Sequence, residues 1–143
     1  MFESCLAKQR HVVELFSDCH SDDDKYQKII QLGKRQAKLD PALKTEKNRV
    51  QGCQSQMYMH TWLEDGKIFF ETESDALISA GLGMLLQLVF SGETPETVLK
   101  CTPQHIDELG IRQALTPGRS NGLASLYLRM KQEALQMYMQ MNR

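Results

Sequence analysis

This sequence lacks a strong charge of either sign and lacks a long apolar run. Its 143 residues include 17 Lys and Arg against 18 Asp and Glu, which gives a formal net charge of -1. Because nucleic-acid binding usually depends on a basic surface, and no long basic tract is present, nucleic acid is not an expected partner. The longest apolar run, residues 76–90, is interrupted by Ser79 and Gln87. It is shorter than the about 20 residues that span a bilayer, so no membrane association is predicted.

Cysteine is also scarce, and its spacing excludes the common cysteine-based frameworks. Cys5, Cys19, Cys53 and Cys101 form no C-x-x-C pair. In a reducing compartment a disulfide framework is not expected. Cys101 and His105 come nearest to a metal-ligand pair, but the second pair that a structural zinc site needs is missing. We expect Cys5, Cys19 and Cys101 to be small buried or half-buried hydrophobic residues.

The length suits one domain with a single core, which we place over residues 1–143. The first residues, MFESCLAKQRH, carry charge and lack the apolar core of a signal peptide. We therefore expect a cytoplasmic location.

The first part of the chain predicts two helices. Apolar residues at helical spacing indicate a helix over residues 2–16 and a second over residues 22–37. Ser21, followed three residues later by Asp24, predicts a capping box at the start of the second helix. Residues 38–50 contain a proline and several charges, and we expect a surface loop there.

A β-hairpin follows. From Gln54 to Leu63 apolar and polar residues alternate, and Asp65-Gly66 is a strong signal for a type I′ turn, which leads into a return strand over residues 67–73. With a two-residue loop the strands align in one register. In that register the predicted cross-strand pairs are Glu64 with Lys67, Leu63 with Ile68, Trp62 with Phe69, Thr61 with Phe70 and His60 with Glu71.

The second half of the chain is predicted to be helical. Ser74 is the expected N-cap of a helix over residues 75–91 that is apolar on nearly every side and therefore central to the fold. Gly81 and Gly83 lower its helix propensity, and we expect them to mark close backbone approach. Thr94-Pro95 and Thr102-Pro103 each predict the start of a short helix.

Residues 115–123 predict a turn-rich loop before a long final helix. Because strands and helices are segregated along the chain, the predicted fold class is α+β, a small antiparallel hairpin packed against several helices.

Cys53 lies in a polar loop, RVQGCQSQMYM, at residues 49–59. The residues leave three functions open for it. The first is a thiol with no function. The second is a hydrolase nucleophile, which needs a histidine as its base. The third is a sulfur acceptor, which needs a mobile nucleophilic sulfur and no such base. Gly52 offers mobility, while Gln54, Ser55 and Gln56 offer neutral donors near an anionic sulfur.

Four sequence blocks, in order, resemble the SufE/CsdE family of sulfur acceptors. They are QLG at residues 31–33, VQGCQSQ at 50–56, SDA at 74–76 leading to Gly81-Leu82, and LTPGRSNGL at 115–123. The resemblance covers about residues 20–138. It implies a single SufE-like domain with a SufE/IscU-like fold.

The resemblance also implies a function. A pyridoxal-phosphate-dependent cysteine desulfurase (SufS/CsdA-like) would pass persulfide sulfur to Cys53, and the chain would stimulate that desulfurase and deliver sulfur to a downstream iron–sulfur scaffold complex. The chain would then be a sulfur carrier rather than a stand-alone enzyme, as a monomer or homodimer. It would bind no pyridoxal phosphate and no metal, and would carry only a transient persulfide on Cys53.

Five residues are expected to support Cys53: Gly52, Gln54, Ser55, Asp75 and Arg119. We expect Arg119 to lie near the Cys53 loop, where it helps to dock the desulfurase or to stabilise an anionic sulfur, unless it only stabilises the last helix. Asp75 is expected to hold the resting loop through a backbone N–H bond, unless it only caps the central helix. Cys53 is expected to be sheltered in the free protein.

The chain departs from the family at Gly118, where serine is common. Two alternatives to sulfur acceptance stay open. The first is an iron–sulfur scaffold of the IscU type, which needs about three cysteines and a further ligand that converge on iron. The second is a binding module in which Cys53 is incidental.

Overall fold

The computed structural model describes residues 1–142. It confirms the predicted α+β class: a two-stranded antiparallel sheet packs against helices that precede and follow it. The elements are α1 (Glu3–Leu15), α2 (Asp22–Lys34), β1 (Met57–Glu64), β2 (Lys67–Ser74), α3 (Leu77–Phe90), α4 (Pro95–Lys100), α5 (Gln104–Glu108) and α6 (Pro117–Met141), with short 3-10 turns at Pro41–Leu43 and Arg112–Ala114.

Helix α3 forms the centre of the molecule. It contacts α1, α2, α6 and β2, and ten of its 14 residues are buried. Glycines on both helices permit its close packing against α2. A Cβ atom on Gly81 would overlap the carbonyl oxygen of Ile29 in α2, and one on Gly33 of α2 would overlap the carbonyl oxygen of Leu77. The prediction of close backbone approach therefore holds for Gly81, whereas Gly83 lies against the side chain of Thr72 in β2.

The hairpin has the predicted register, from Glu64 opposite Lys67 to His60 opposite Glu71. Asp65 and Gly66 have φ of 52° and 77°, as a type I′ turn requires. Trp62 and Phe69 stack with ring centroids 5.5 Å apart on the outer face. Met57 and Met59 are buried on the inner face.

Most helix starts agree with their sequence signals. The Ser21 hydroxyl accepts a hydrogen bond from the Asp24 backbone N–H at 3.1 Å, and Thr94 accepts one from Thr97 at 3.2 Å. The central helix begins later than predicted, at Leu77, because the strand continues to Ser74. Ser74 is therefore not its N-cap; its hydroxyl accepts a hydrogen bond from the Ala76 N–H at 3.3 Å.

The prediction of a loop over residues 115–123 was wrong. Helix α6 begins at Pro117, and the Thr116 hydroxyl accepts a hydrogen bond from the Arg119 N–H at 3.3 Å. Threonine followed by proline is a strong helix start, and it outweighs the low helix propensity of Gly118 and Gly122. These two glycines lie on the side of α6 that receives the Cys53 loop.

Within residues 1–142 no helix combines the length and the apolar character needed to cross a membrane.

We predict that Gly81→Ala destabilises the protein although alanine is the better helix former by about 1 kcal/mol. The new methyl group would overlap backbone atoms of Ile29, which cannot rotate away as a side chain can. We expect a loss of about 1–3 kcal/mol, as is typical of overpacked cores. Urea denaturation at equilibrium measures it.

Gly122→Ala is the matched control, because its Cβ atom would meet nothing nearer than Cys53 atoms at 3.8 Å. It should be neutral or stabilising by up to about 1 kcal/mol. Equal stability of the two variants would contradict the close contact between α2 and α3.

Candidate functional site

The Cys53 loop is closed at its base by backbone hydrogen bonds. The Val50 N–H donates to the Met57 carbonyl, and the Met59 N–H donates to the Asn48 carbonyl, both at 2.8 Å. Residues 51–56 therefore form a short loop whose two ends are held together at the start of β1. Val50 itself is 3% exposed and belongs to the hydrophobic core.

Arg129 of α6 fixes the segment that enters the loop. Its guanidinium donates to the Arg49 carbonyl at 2.9 Å and to the Lys47 carbonyl, and it also pairs with Glu133. Sequence reasoning missed this residue because it forms no motif with the loop. The base of the loop is thus attached both to the hairpin and to α6.

Gly52 has the backbone conformation that the loop requires. Its φ is +86°, a region that residues with a side chain rarely adopt. A Cβ atom there would also overlap the Ser125 hydroxyl of α6. The turn therefore depends on glycine at this position, and any larger residue would also require the Ser125 side chain to move.

Cys53 is half-buried against the first turns of α6. Its Sγ lies 3.7 Å from the Gly122 carbonyl oxygen, to which the thiol donates. The cavity beside it has a volume of only about 10 Å³, which is room for about one water molecule. Its apolar walls are Met57, Leu82, Leu123 and Leu126. In this conformation the site holds the sulfur but has no space for a substrate.

Arg119 joins three elements at the polar end of this cavity. Its Nη1 atom donates to the Ser55 hydroxyl of the loop at 2.6 Å and to the Ser79 hydroxyl of α3. The two hydroxyls are themselves 3.3 Å apart. Arg119 and Ser79 are each the third residue of their helix, so the positive ends of two helix dipoles lie at this point. The site is electropositive beside the sulfur.

Burial raises the pKa of the Cys53 thiol, and the charge of Arg119, a smaller effect, lowers this pKa. The Gly122 carbonyl adds a geometric reason for the protonated form, because it accepts a hydrogen bond from a thiol and repels a thiolate. The resting Cys53 is therefore a neutral thiol at physiological pH.

Gln54 lies across α6 at Gly118. A Cβ atom on Gly118 would overlap the side-chain amide of Gln54. Both residues line the Cys53 cavity. Glycine at this position, where the resembled family often has serine, thus provides the space that the Gln54 amide occupies beside Cys53.

The structure brings Gly52, Cys53, Gln54, Ser55 and Arg119 together. Asp75 is next to the loop only through its backbone, since its N–H donates to the Gln56 carbonyl at 3.4 Å. Its exposed carboxylate accepts no hydrogen bond from residues 1–142, and α3 has no side-chain cap. Asp75 thus bonds the loop through the N–H that it donates itself, while its side chain neither bonds the loop nor caps α3.

Ser79 and Gly122 were not predicted as site residues. A signal for Ser79 was present, because a serine inside an otherwise apolar helix needs a buried polar partner. Gly122 touches Cys53 across 69 positions of sequence, and no local pattern reveals such a contact.

The other cysteines lie elsewhere. Cys5 and Cys101 are buried, and each sulfur is 3.7 Å from the Gln9 amide. Burial raises the pKa of Cys5 to about 12, so this thiol is inert at neutral pH. His105, the nearest histidine to Cys101 in sequence, bonds through Nε2 to the Leu85 carbonyl. Among residues 1–142, no three His, Cys, Asp or Glu side chains are grouped so that they could hold a metal ion.

Comparison with known proteins identifies one family. The family described as "SufE: Fe-S metabolism associated domain" matches residues 10–134. SufE-like protein 1, chloroplastic/mitochondrial, of Arabidopsis thaliana is 33% identical over 134 residues, which are 93% of this chain and 36% of that protein. This chain therefore corresponds to about a third of the Arabidopsis relative.

Two bacterial relatives are matched over more of their length. An uncharacterized SufE-like protein of Synechocystis sp. is 38% identical over 128 residues, which are 87% of this chain and 78% of the relative. An uncharacterized SufE-like protein of Rhizobium meliloti is 33% identical over 128 residues, which are 86% of this chain and 91% of the relative. A solution structure of a hypothetical protein from Thermus thermophilus has a TM-score of 0.72 at 25% identity and covers 90% of this chain and 94% of that chain.

We predict that Cys53 of the free protein alkylates more slowly than the same cysteine in the urea-unfolded chain. Because burial raises the pKa of Cys53, the thiolate fraction at a given pH is smaller in the folded protein. The midpoint of the profile of alkylation rate against pH should lie at a higher pH for the folded protein than for the unfolded chain. Peptide mapping of iodoacetamide labelling follows Cys53 separately from the other thiols. A midpoint at or below that of the unfolded chain would contradict a sheltered, neutral thiol.

We predict that Gly118→Ser accelerates the alkylation of Cys53 several-fold. The serine side chain would take the place of the Gln54 amide, which then moves away and uncovers the sulfur. Gln54→Ala should accelerate the alkylation of Cys53 in the same way. The double variant should react no faster than Gln54→Ala alone, because both substitutions remove the same contact, that of the Gln54 amide beside Cys53. Fully additive effects would show that Gly118 acts independently of Gln54.

Proposed function

Because the chain belongs to the SufE family, whose domain is associated with Fe–S metabolism, we propose that Cys53 accepts sulfur from a pyridoxal-phosphate-dependent cysteine desulfurase and passes it to iron–sulfur cluster assembly. The observation that carries the proposal is the position of Cys53. It is a single thiol on a short loop, covered at rest, beside an arginine and two helix N-termini.

The proposed step is an exchange at sulfur. The Cys53 thiolate attacks the outer sulfur of the donor persulfide, and a new S–S bond forms at Cys53. The S–S bond of the donor breaks, and the donor cysteine leaves as a thiolate. The outer sulfur keeps its proton, and the electron pair of the broken S–S bond leaves with the donor thiolate, so no oxidant or reductant is needed. Removal of the persulfide regenerates the donor thiol, which explains how the chain would stimulate the desulfurase.

The side chains around the cavity suit a carrier better than a hydrolase. Among the described residues that line it, none is an acid or a histidine, so no general base is at hand to activate water. Ser55, Ser79 and Arg119 offer donors to an anionic sulfur instead. A persulfide formed on Cys53 would thus be stabilised without a group that promotes its hydrolysis.

Transfer requires the loop to move, since the cavity of about 10 Å³ admits no second sulfur. The hydrogen bonds between Val50 and Met57 and the contacts of Arg129 fix the base of the loop. Movement is then confined to residues 51–56, with Gly52 as the residue that absorbs the change in backbone angles. Binding of the desulfurase would stabilise the open position and lower the pKa of Cys53 by ending its burial.

We predict that Cys53→Ser abolishes sulfur acceptance but leaves the fold unchanged. The protein is mixed with a cysteine desulfurase and cysteine, and intact-mass analysis counts added sulfur atoms. The wild type should gain sulfur that maps to the peptide with Cys53, and Cys53→Ser should gain none. Cys19→Ser is the matched control, because Cys19 is also half-buried but lies outside the site. Sulfur on Cys19, Cys5 or Cys101 in the Cys53→Ser variant, at wild-type yield, would refute the assignment.

A further inference from the structure

A second concave site lies between α1, α2 and α3. It is a groove with a volume of about 500 Å³, which is within the range of small-molecule sites. Its floor is apolar and includes Val12 and Leu32, which are 2% and 3% exposed. Met84 and Leu88 of α3 form one wall, and Leu88 is 39% exposed although it belongs to a helix that is otherwise central to the core.

This groove is separate from the Cys53 site. Helix α3 presents Ser79 and Leu82 to the Cys53 cavity, but Met84 and Leu88 to the groove. At about 3.6 residues per turn these two pairs lie on roughly opposite sides of the helix. No residue lines both cavities. A ligand in the groove would therefore not touch the sulfur acceptor.

The rim of the groove is cationic. Lys8, His11 and Arg35 line it, and none of the described residues that line it is an acid. Lys8 is already paired with Glu93, which lies outside the groove. No ion pair within residues 1–142 uses the guanidinium of Arg35 or the imidazole of His11. Both side chains are exposed and available to an anion.

We infer that this groove binds a small anionic amphiphile, a carboxylate on an alkyl chain. The alkyl chain lies on the accessible side chains of Leu15, Met84 and Leu88, and the carboxylate pairs with Arg35. The groove follows α1 from Ser4 to Leu15, which is roughly 16 Å at about 1.5 Å per residue, so it suits a medium-length chain. An apolar floor with few polar groups at its edge is the usual pattern of a site that binds and orients a small ligand.

Titration calorimetry with decanoate tests this site. Decanoate should bind the wild type saturably, with a dissociation constant below about 1 mM. Decyltrimethylammonium has the same chain and the opposite charge, and it should not bind. Arg35→Glu should weaken decanoate at least tenfold, because it reverses the charge at the rim.

Leu88→Glu should also weaken decanoate at least tenfold, and Leu135→Glu is its matched control. Leu135 is a similarly exposed leucine, at 47% against 39%, on α6 and outside the groove. Thermal melts establish that all variants are folded. Leu88→Glu should accept sulfur from a desulfurase as the wild type does. A loss of decanoate binding can then be distinguished from a loss of sulfur acceptance at Cys53.

Three results would overturn the inference. One is the absence of saturable decanoate binding, including the case in which the chain binds only vesicles of anionic lipid. Another is equal affinity in wild type, Arg35→Glu and Leu88→Glu. The third is a dimer in sedimentation that Leu88→Glu, and not Leu135→Glu, converts to a monomer, because a second copy of the chain would then cover the groove.

Discussion

The backbones of α2 and α3 touch at two glycines, and the position of α3 depends on this contact. Gly81 lies against the Ile29 carbonyl, and Gly33 lies against the Leu77 carbonyl. Side chains at either position would separate the helices and leave voids in a core that is otherwise closely packed. In this position the first turn of α3 places Ser79 beside the Cys53 loop. The opposite side of α3 forms a wall of the groove between α1, α2 and α3.

Cys53 combines two opposing electrostatic influences. Burial favours the neutral thiol and raises its pKa, while Arg119 favours the thiolate and has the smaller effect. If Arg119 dominated, the resting sulfur would be a reactive anion open to oxidants. Because burial dominates, the thiol is neutral at rest, and Arg119 instead bonds the hydroxyls of Ser55 and Ser79. The charge of Arg119 thus already lowers the pKa of Cys53 at rest, while its Nη1 atom bonds the two hydroxyls.

Sequence patterns predicted the parts of the structure that depend on local interactions. The hairpin register followed from one turn and an alternation of period two, and Ser21 marked the start of α2 through a contact three residues away. The start of α6 was missed because Gly118 and Gly122 have low intrinsic helix propensity, while their benefit comes from contact with the distant Cys53 loop. The contact between Arg119 and Ser79 likewise spans 40 positions and leaves no local periodicity.

The attachment of the loop limits how Cys53 can be exposed. Opening of the whole segment before β1 would break the hydrogen bonds of Val50 and Arg129, and would expose a buried valine. Opening of residues 51–56 alone breaks the Arg119–Ser55 bond and removes Gln54 from α6, but it keeps the hydrogen bonds of Val50 and Arg129 and the burial of Val50. The smaller opening is therefore the cheaper one. In the proposed transfer it would bring Cys53 outward while β1 and α6 keep the base of the loop in place.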